Sequence, residues 1–206
     1  MIVRNPDQRI AVLVDVQNLY YSARNQFQSR INFKNLLSLA VQNRVLTRAI
    51  AYVIESEGKK EKDFFDAVNN AGFEIKEKTL QVFAGGTKKG DWDIGIAMDA
   101  IRLGTKVDSV VLISGDGDFR PVVNYLQQAL GCLVEVVAFE STANNELMEM
   151  ADDFINIENY KTKLLFKDKK GRSVKTSPKK GSTNRSANSK ETRAAKSSSR
   201  STKNTK

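Results

Sequence analysis

Short apolar runs alternate with segments of helical period along the first 160 residues, and this alternation restricts the fold more than any other feature. Residues 10–15 (IAVLVD), 109–114 (SVVLIS) and 133–139 (LVEVVAF) are rich in β-branched residues, as strands covered on both faces are. Segments with helical spacing separate them. Strands separated by helices predict an α/β fold with a mostly parallel central sheet and helices on both faces.

The remaining predicted elements continue the same alternation of strands and helices. The sequence contains no internal repeats. Helices are predicted over residues 19–27, 33–41, 60–71, 94–103, 121–130 and 146–151. Further strands are predicted over residues 46–54, over 73–78 with 80–84 as an interrupted continuation, and over 154–157 as a last edge strand.

Charge divides the chain into two parts. Residues 161–206 contain sixteen Lys and Arg but only two acidic residues, a net charge of +14, whereas residues 1–160 contain 17 basic and 22 acidic residues, a net charge of −5. Beyond about Phe166 the composition is dominated by Ser, Thr, Lys, Arg, Asn and Gly, which cannot bury enough surface to offset the entropy of ordering. We therefore predict a folded domain over residues 1–160 and a disordered basic tail over residues 161–206.

The chain contains no histidine and a single cysteine, Cys132. The first absence excludes His general bases, Ser-His triads and His-ligated zinc. One cysteine excludes an internal disulfide and a Cys-ligated cluster, and Cys132 lies in an apolar run typical of the core. The apolar runs are too short to span a membrane and the first residues lack a signal-peptide pattern, so a cytoplasmic protein without membrane contact is expected.

Acidic residues follow two of the predicted buried strands. Asp15 ends the first strand, and Asp116 and Asp118 follow the strand at 109–114. In open parallel sheets, ligands bind beyond the carboxyl ends of the strands, near the point where the strand order reverses. If these two strands are neighbours, about 4.8 Å apart, Asp15 and Asp116 can converge on one cation.

Each of these aspartates also has a plainer interpretation as a turn or cap residue. Asp93 stands just ahead of the helix at 94–103, where it can cap that helix or face the cleft. Asp99 is six residues further, about 240° around the helix, so both side chains cannot face the cleft squarely. Asp99 is therefore interpreted as a residue that supports the site from behind or packs in the core.

Carboxylates brought together without histidine repel one another unless a cation or protons compensate. Oxygen-only sites suit Mg²⁺ or Mn²⁺, bound with several waters and completed by substrate phosphate oxygens. Such an ion lowers the pKa of a bound water and neutralises charge growing on a phosphodiester. The composition therefore favours metal-dependent phosphodiester hydrolysis.

Several motifs occur in order along the domain: residues 15–20 (DVQNLY), residues 89–94 (KGDWDI) running on to 98–100 (MDA), and residues 114–119 (SGDGDF). They resemble the D-x-x-N start, the middle motif and the S-G-D-x-D-F motif of the NYN domain family. Residues 147–154 are similar to the closing segment of that family. The resemblance covers roughly Arg9 to Glu158 and is strongest to the bacterial LabA-like subgroup.

The resemblance implies a PIN-like Rossmannoid fold and a Mg²⁺- or Mn²⁺-dependent nuclease active on RNA. By position it implies metal binding by Asp15, Asp93 and Asp116, with Asp118 as a further ligand or one acting through water. It also implies that Asn18 orients a ligand or a substrate phosphate, and that Ser114 supports Asp116 by hydrogen bonding.

An acidic domain attracts RNA poorly, so the basic tail is predicted to supply phosphate contacts. A solubilising tail without a partner is the alternative. Within the domain, Lys89 and Arg120 flank the motifs and are predicted to contact RNA, with solvated surface as the alternative for each. A homo-oligomer and a protein partner stay open.

Two other functions are compatible with these residues. One is a catalytically silent NYN module that binds RNA or a protein partner in regulation. The other is a phosphohydrolase acting on small phosphate esters. A HAD-type phosphatase would need a D-x-D pair after its first strand, and here Gln17 stands two residues after Asp15.

Overall fold

A computed structural model of the chain describes residues 4–55, 62–79, 81–82, 88–89 and 91–167. One compact unit spans Met1–Gly171, and a second unit spans Arg172–Lys206. The second unit contains most of the predicted basic tail and lies outside the described residues, so the disorder predicted for it stays a prediction.

The described elements alternate along the chain much as predicted. Their order is β1 (Arg9–Asp15), α1 (Val16–Phe27), β2 (Ser29–Ile31), α2 (Phe33–Val41), β3 (Val45–Glu55), α3 (Lys62–Asn70), β4 (Glu74–Thr79), β5 (Gln81–Val82), β6 (Lys88–Lys89), α4 (Asp93–Gly104), β7 (Ser109–Ile113), α5 (Arg120–Leu130), β8 (Leu133–Ala138), α6 (Asn145–Met150), β9 (Asp153–Asn156), α7 (Lys161–Leu164) and β10 (Leu165–Lys167).

Six strands form the central sheet in the order β4-β3-β1-β7-β8-β9. Every neighbouring pair is parallel, and β9 is an edge strand. The α/β fold with a parallel central sheet is confirmed. Strand order reverses between β1 and β7, since β3 and β4 lie on one side of β1 while β8 and β9 continue on the other.

Helices cover both faces of the sheet because β1 is apolar on both sides. Ile10, Val12 and Val14 pack in one core cluster with the buried sides of α1, α2, α3 and α7. Ala11 and Leu13 point the other way and pack in a second cluster with α4, α5 and α6. All five side chains are fully buried.

Local signals explain where the helices begin and end. Asn32 caps α2 by accepting a hydrogen bond from the Asn35 N–H, so α2 has the predicted bounds. Helix α1 begins three residues earlier than predicted because the Asp15 side chain caps it. Helix α5 ends at Leu130 and is capped by Gly131, whose φ of 62° suits glycine.

The predicted domain boundary at residue 160 is too early. Residues 161–167 form α7 and β10, and Leu164 is 1% exposed in the core cluster of α1 and α2. Strand β10 pairs antiparallel with β2. Each of these strands has only three residues, and the two lie far apart in the sequence. No local sequence pattern therefore predicts their pairing.

The interrupted strand predicted over 80–84 also differs from the structure. Only Gln81–Val82 is described there, and it pairs antiparallel with Lys88–Lys89 in a separate two-stranded sheet rather than extending β4. Leu80, residues 83–87 and the start of the helix predicted over 60–71 lie outside the described residues. Among the helices that the structure describes, none is long and apolar enough to cross a membrane.

Candidate active site

The candidate site lies at the carboxyl ends of β1 and β7, where the strand order reverses. The register pairs Val14 with Ile113, so Asp15 and Ser114 are the next residues along the two strands. This is the position at which open parallel sheets bind ligands. The neighbouring strands that the sequence required for convergence of Asp15 and Asp116 are present.

Asp15 is held in place by hydrogen bonds on both carboxylate oxygens. Its Oδ1 accepts from the Asn18 N–H at 3.1 Å, and its Oδ2 accepts from the Ser114 hydroxyl at 3.2 Å. The residue is 8% exposed. Burial raises the pKa of Asp15 above its ordinary value, the two hydrogen bonds oppose that rise, and the charge of Asp116 adds to it.

Asn18 ties the first turn of α1 to the segment after β7. Its Oδ1 accepts a hydrogen bond from the Gly115 N–H at 3.0 Å, while its own N–H donates to Asp15. One residue therefore fixes the spacing between the two strand exits.

Asp116 lies in a tight turn after β7. Its N–H donates to the Ser114 Oγ at 3.2 Å, and its Oδ1 accepts from the Asp118 N–H at 3.0 Å, which caps the 3-10 turn Gly117–Phe119. Ser114 therefore contacts the backbone of Asp116 and the carboxylate of Asp15. Its predicted hydrogen-bonded support of Asp116 runs through the backbone N–H.

Two glycines in this turn are required by close approach of the segment after β8. A Cβ at Gly115 would lie 2.9 Å from the Ala143 Cα, and a Cβ at Gly117 would lie 2.7 Å from the Asn144 Nδ2. The Asn144 N–H donates to the Gly115 carbonyl at 2.9 Å. The turn is thus clamped from outside, which no local sequence signal predicts.

Asp93 is the first residue of α4, and the cap position is Trp92, which makes no side-chain cap hydrogen bond. The simple N-cap interpretation of Asp93 is therefore wrong. Its pKa is raised to about 6, first by burial and then by the charges of four nearby aspartates. In order of effect, these are Asp116, Asp15, Asp91 and Asp118.

Trp92 fixes the start of α4 and is a site residue that the sequence analysis missed. Its Nε1–H donates to the Val53 carbonyl at 2.9 Å, and its ring centroid lies 5.4 Å from that of Tyr52, the register partner of Asp15. A Cβ at Gly95 would lie 2.6 Å from the Trp92 ring. The only signal available was the single tryptophan of the chain, placed next to Asp93.

Asp99 lies in a cluster of cationic and phenolic groups. Its carboxylate accepts hydrogen bonds from Tyr52 at 2.6 Å, from Arg102 at 2.7 Å and from Lys76. Burial raises the pKa of Asp99, but the hydrogen bonds from Lys76 and Tyr52 outweigh burial and hold it below its usual range. These contacts favour the packing role over support of the metal ligands.

Of the two cations predicted to contact RNA, the structure describes the side-chain contacts of Arg120 but not those of Lys89. Arg120 donates to the Gly117 carbonyl at 3.0 Å and forms an ion pair with Glu146, so it braces the turn after Asp116. The side chain of Lys89 lies outside the described residues, although its backbone pairs with Gln81. RNA contact by either side chain stays a prediction.

The edge of the sheet near Asp15, Asp93 and Asp116 is called the rim. Its donor chemistry fits Mg²⁺ or Mn²⁺. The ligands would be carboxylate oxygens, and their mutual repulsion is the condition that a hard cation relieves. Within the described ranges, no group of three acidic, His or Cys side chains is arranged to hold a metal ion. Magnesium seldom needs one, because proteins hold it through one or two carboxylates, waters and substrate phosphates.

Comparison with known proteins gives a consistent assignment. The sequence profile of the NYN domain matches residues 9–158. The chain is 25% identical over 166 residues to the low amplitude and bright protein LabA of Synechococcus elongatus, an alignment that covers 75% of this chain and 86% of LabA. A crystal structure of a Vibrio parahaemolyticus protein of unknown function is similar with a TM-score of 0.72 and 34% identity, and covers 80% of this chain and 100% of that one.

Proposed function

The chain belongs to the NYN domain family, a PIN-like nuclease family, and we propose that it is a Mg²⁺- or Mn²⁺-dependent ribonuclease that hydrolyses RNA phosphodiester bonds. The observation that carries the proposal is the placement of Asp15 and Asp116 beyond the ends of two neighbouring strands, where strand order reverses, with Asp93 near enough for their charges to raise its pKa. The charges of aspartates from three separate segments act on one another there, and structural turns alone give no reason for this.

The proposed ligands are Asp15, Asp93 and Asp116, with the exposed Asp118 binding directly or through water. A divalent ion bound to them would activate water and neutralise charge on the scissile phosphate. The polypeptide contributes rigidity: Ser114 and Asn18 hold Asp15, the clamped turn holds Asp116, and Trp92 holds the start of α4. Preformed positions of this kind reduce the reorganisation needed during reaction.

Asn18 is proposed to act on the substrate side of the site. Its Oδ1 is used by the Gly115 N–H, so its Nδ2 group can donate to a phosphate oxygen. The basic segment after residue 171 contains eleven Lys and Arg against one Glu, and we propose that it adds phosphate contacts without sequence preference. Shortening the chain to Gly171 should therefore weaken RNA binding most at low salt.

The test is a cleavage assay with the purified full chain on labelled RNA and DNA, in Mg²⁺, Mn²⁺ or EDTA. Asp116→Asn should lower metal-dependent RNA cleavage by roughly 100-fold or more while keeping the wild-type circular dichroism spectrum. Asp66→Asn is the matched control, because Asp66 is exposed on α3, and it should cleave like wild type. Cleavage that survives EDTA, or that Asp116→Asn leaves intact, would contradict the proposal.

A catalytically silent module that binds RNA or a protein partner is the second candidate. The observation that favours it is the lack of a group of three acidic, His or Cys side chains arranged to hold a metal ion in the part of the chain that the structure describes. Such a module would retain RNA in a gel-shift assay and show no cleavage in any metal, and Asp116→Asn would then have no activity to lose.

A further inference from the structure

The outer side of α1, the helix that begins directly after Asp15, carries two exposed tyrosines. Tyr20 and Tyr21 are 37% and 55% exposed, and their ring centroids lie 6.2 Å apart in an edge-to-face arrangement. The Arg24 guanidinium lies 5.7 Å from the Tyr20 ring centroid and donates to the Tyr20 hydroxyl. Helix α1 starts directly after Asp15, so at about 1.5 Å per residue both tyrosines lie within about 10 Å of that end of the helix axis.

The segment between Asp15 and Glu55 is basic, whereas the domain as a whole is acidic. Between Asp15 and Glu55 the sequence has no acidic residue, although it contains Arg24, Arg30, Lys34, Arg44 and Arg48. Arg24 and Lys34 are exposed, and Arg44 and Arg48 pair with acidic side chains. A cationic surface whose own segment lacks carboxylates fits a polyanion.

The ribbon formed by β2 and β10 repeats the combination of an aromatic ring and a cation. Strand β2 follows α1, and β10 places Phe166 directly opposite Arg30 and Lys167 opposite Ser29. Phe166 is 50% exposed, and residues directly opposite in an antiparallel pair share one face. The chain then continues from Lys167 into its most basic segment.

We propose that the outer side of α1 and the β2–β10 ribbon together bind single-stranded RNA, and we call them the stacking surface. Unpaired bases would stack on the aromatic rings while the cations contact phosphates. The residues concerned are Tyr20, Tyr21, Arg24, Arg30, Phe166 and Lys167.

We expect the stacking surface to distinguish single-stranded RNA from duplex RNA, and not one base sequence from another. Every base offers a face to an aromatic ring, so stacking tolerates any sequence. Bases inside a duplex are stacked on one another, whereas bases in single strands and loops can be splayed onto side chains. This inference rests on the proposed ribonuclease function and narrows the substrate to unpaired RNA that reaches the sheet edge beside Asp15.

The test measures binding without cleavage. The full chain carrying Asp116→Asn is titrated in EDTA against a fluorescently labelled, unstructured uridine oligomer and against an RNA duplex of equal length, with anisotropy as the readout. Moderate salt keeps the phosphate contacts of the basic segment weak. Tyr21→Ala and Phe166→Ala are compared with Tyr21→Phe, which keeps the ring, and with Tyr125→Ala. Tyr125 is 45% exposed on α5, which packs on the opposite face of the sheet.

The expected result is tighter binding of the single strand than of the duplex. Tyr21→Ala and Phe166→Ala should each weaken that binding roughly 5- to 100-fold, while Tyr21→Phe and Tyr125→Ala stay within about twofold. Equal binding of duplex and single strand, unchanged affinity in the alanine variants, an equal loss in Tyr125→Ala, or no binding at all would overturn the inference. A lack of cleavage by the wild-type chain, with these binding results intact, would overturn only the nuclease proposal.

Discussion

The Ser114 hydroxyl donates a hydrogen bond to the Asp15 Oδ2 at 3.2 Å, across the junction of the two central strands. This bond opposes the rise that burial imposes on the pKa of Asp15. Ser114→Ala should raise that pKa further and weaken Mn²⁺ binding or cleavage roughly 10- to 100-fold, as the loss of a group that orients a metal ligand does. Isothermal titration with Mn²⁺ measures the change.

Ser38→Ala is the matched control for that variant, since Ser38 is exposed on α2. It should bind Mn²⁺ like wild type. A Ser114→Ala chain with unchanged affinity would remove Ser114 from the account of the site.

Asp93 predicts an unusual dependence of stability on pH in the metal-free chain. The pKa of its carboxyl rises from 3.8 to about 6 in the folded state, so between those values the folded state holds a proton that the unfolded state lacks. Stability from this group therefore falls as pH rises through that window, and the penalty is complete above it. Asp93→Asn removes the penalty.

Asp93→Asn should accordingly stabilise the metal-free chain at about pH 7.5 and make little difference near pH 4. The full shift would correspond to roughly 3 kcal/mol, and solvent screening of this partly exposed side chain reduces it to about 1 kcal/mol. Urea unfolding in EDTA at both pH values provides the measurement. Destabilisation at neutral pH would mean that the repulsion inferred at the rim is absent.

Gly95→Ala should harm the protein although alanine is the better helix former. Helix propensity alone predicts a gain of about 1 kcal/mol. The added methyl would instead lie 2.6 Å from the Trp92 ring and displace the start of α4 that carries Asp93. We expect lower RNA cleavage with no gain in melting temperature. A more stable and fully active variant would show that the contact relaxes freely.

A substitution at Arg44 tests a part of the fold that lies away from the proposed metal site. It forms a buried ion pair with Glu135, which also accepts hydrogen bonds from Ser109 at 2.8 Å and from Arg4 at 3.1 Å. Arg44→Met should cost about 3 to 5 kcal/mol of unfolding free energy, because it leaves a buried carboxylate short of its main partner. Mn²⁺ affinity of the folded fraction should not change, and an altered affinity would contradict the separation of the two regions.

Local sequence was sufficient for the elements whose environment is uniform. Strands β1, β7 and β8 are buried on both faces and lie within a residue of their predicted bounds, and the Asn32 cap marks the start of α2. Their parallel pairing followed from the general rule that strands separated by helices form parallel sheets, whereas their order in the sheet was not predicted. The convergence of Asp15 and Asp116 was predicted on the condition that β1 and β7 are neighbours, and that condition is met.

Contacts between distant segments account for what was not predicted. The pairing of β2 with β10 joins two three-residue strands, and the boundary at residue 160 was wrong for that reason. The anchoring of Trp92 on Val53 and the clamp of Ala143 on Gly115 also join segments far apart in the sequence. Helical or strand periodicity carries no information about such contacts.

The central claim is that Asp15, Asp93 and Asp116 jointly bind one divalent cation, and calorimetric titration of the metal-free full chain with Mn²⁺ tests it most directly. We predict a single site in the wild-type chain, lost in Asp15→Asn, Asp93→Asn and Asp116→Asn taken one at a time, and retained in Asp66→Asn. Absence of a Mn²⁺ site in the wild-type chain, or a site that survives each of the three rim substitutions, would contradict the account.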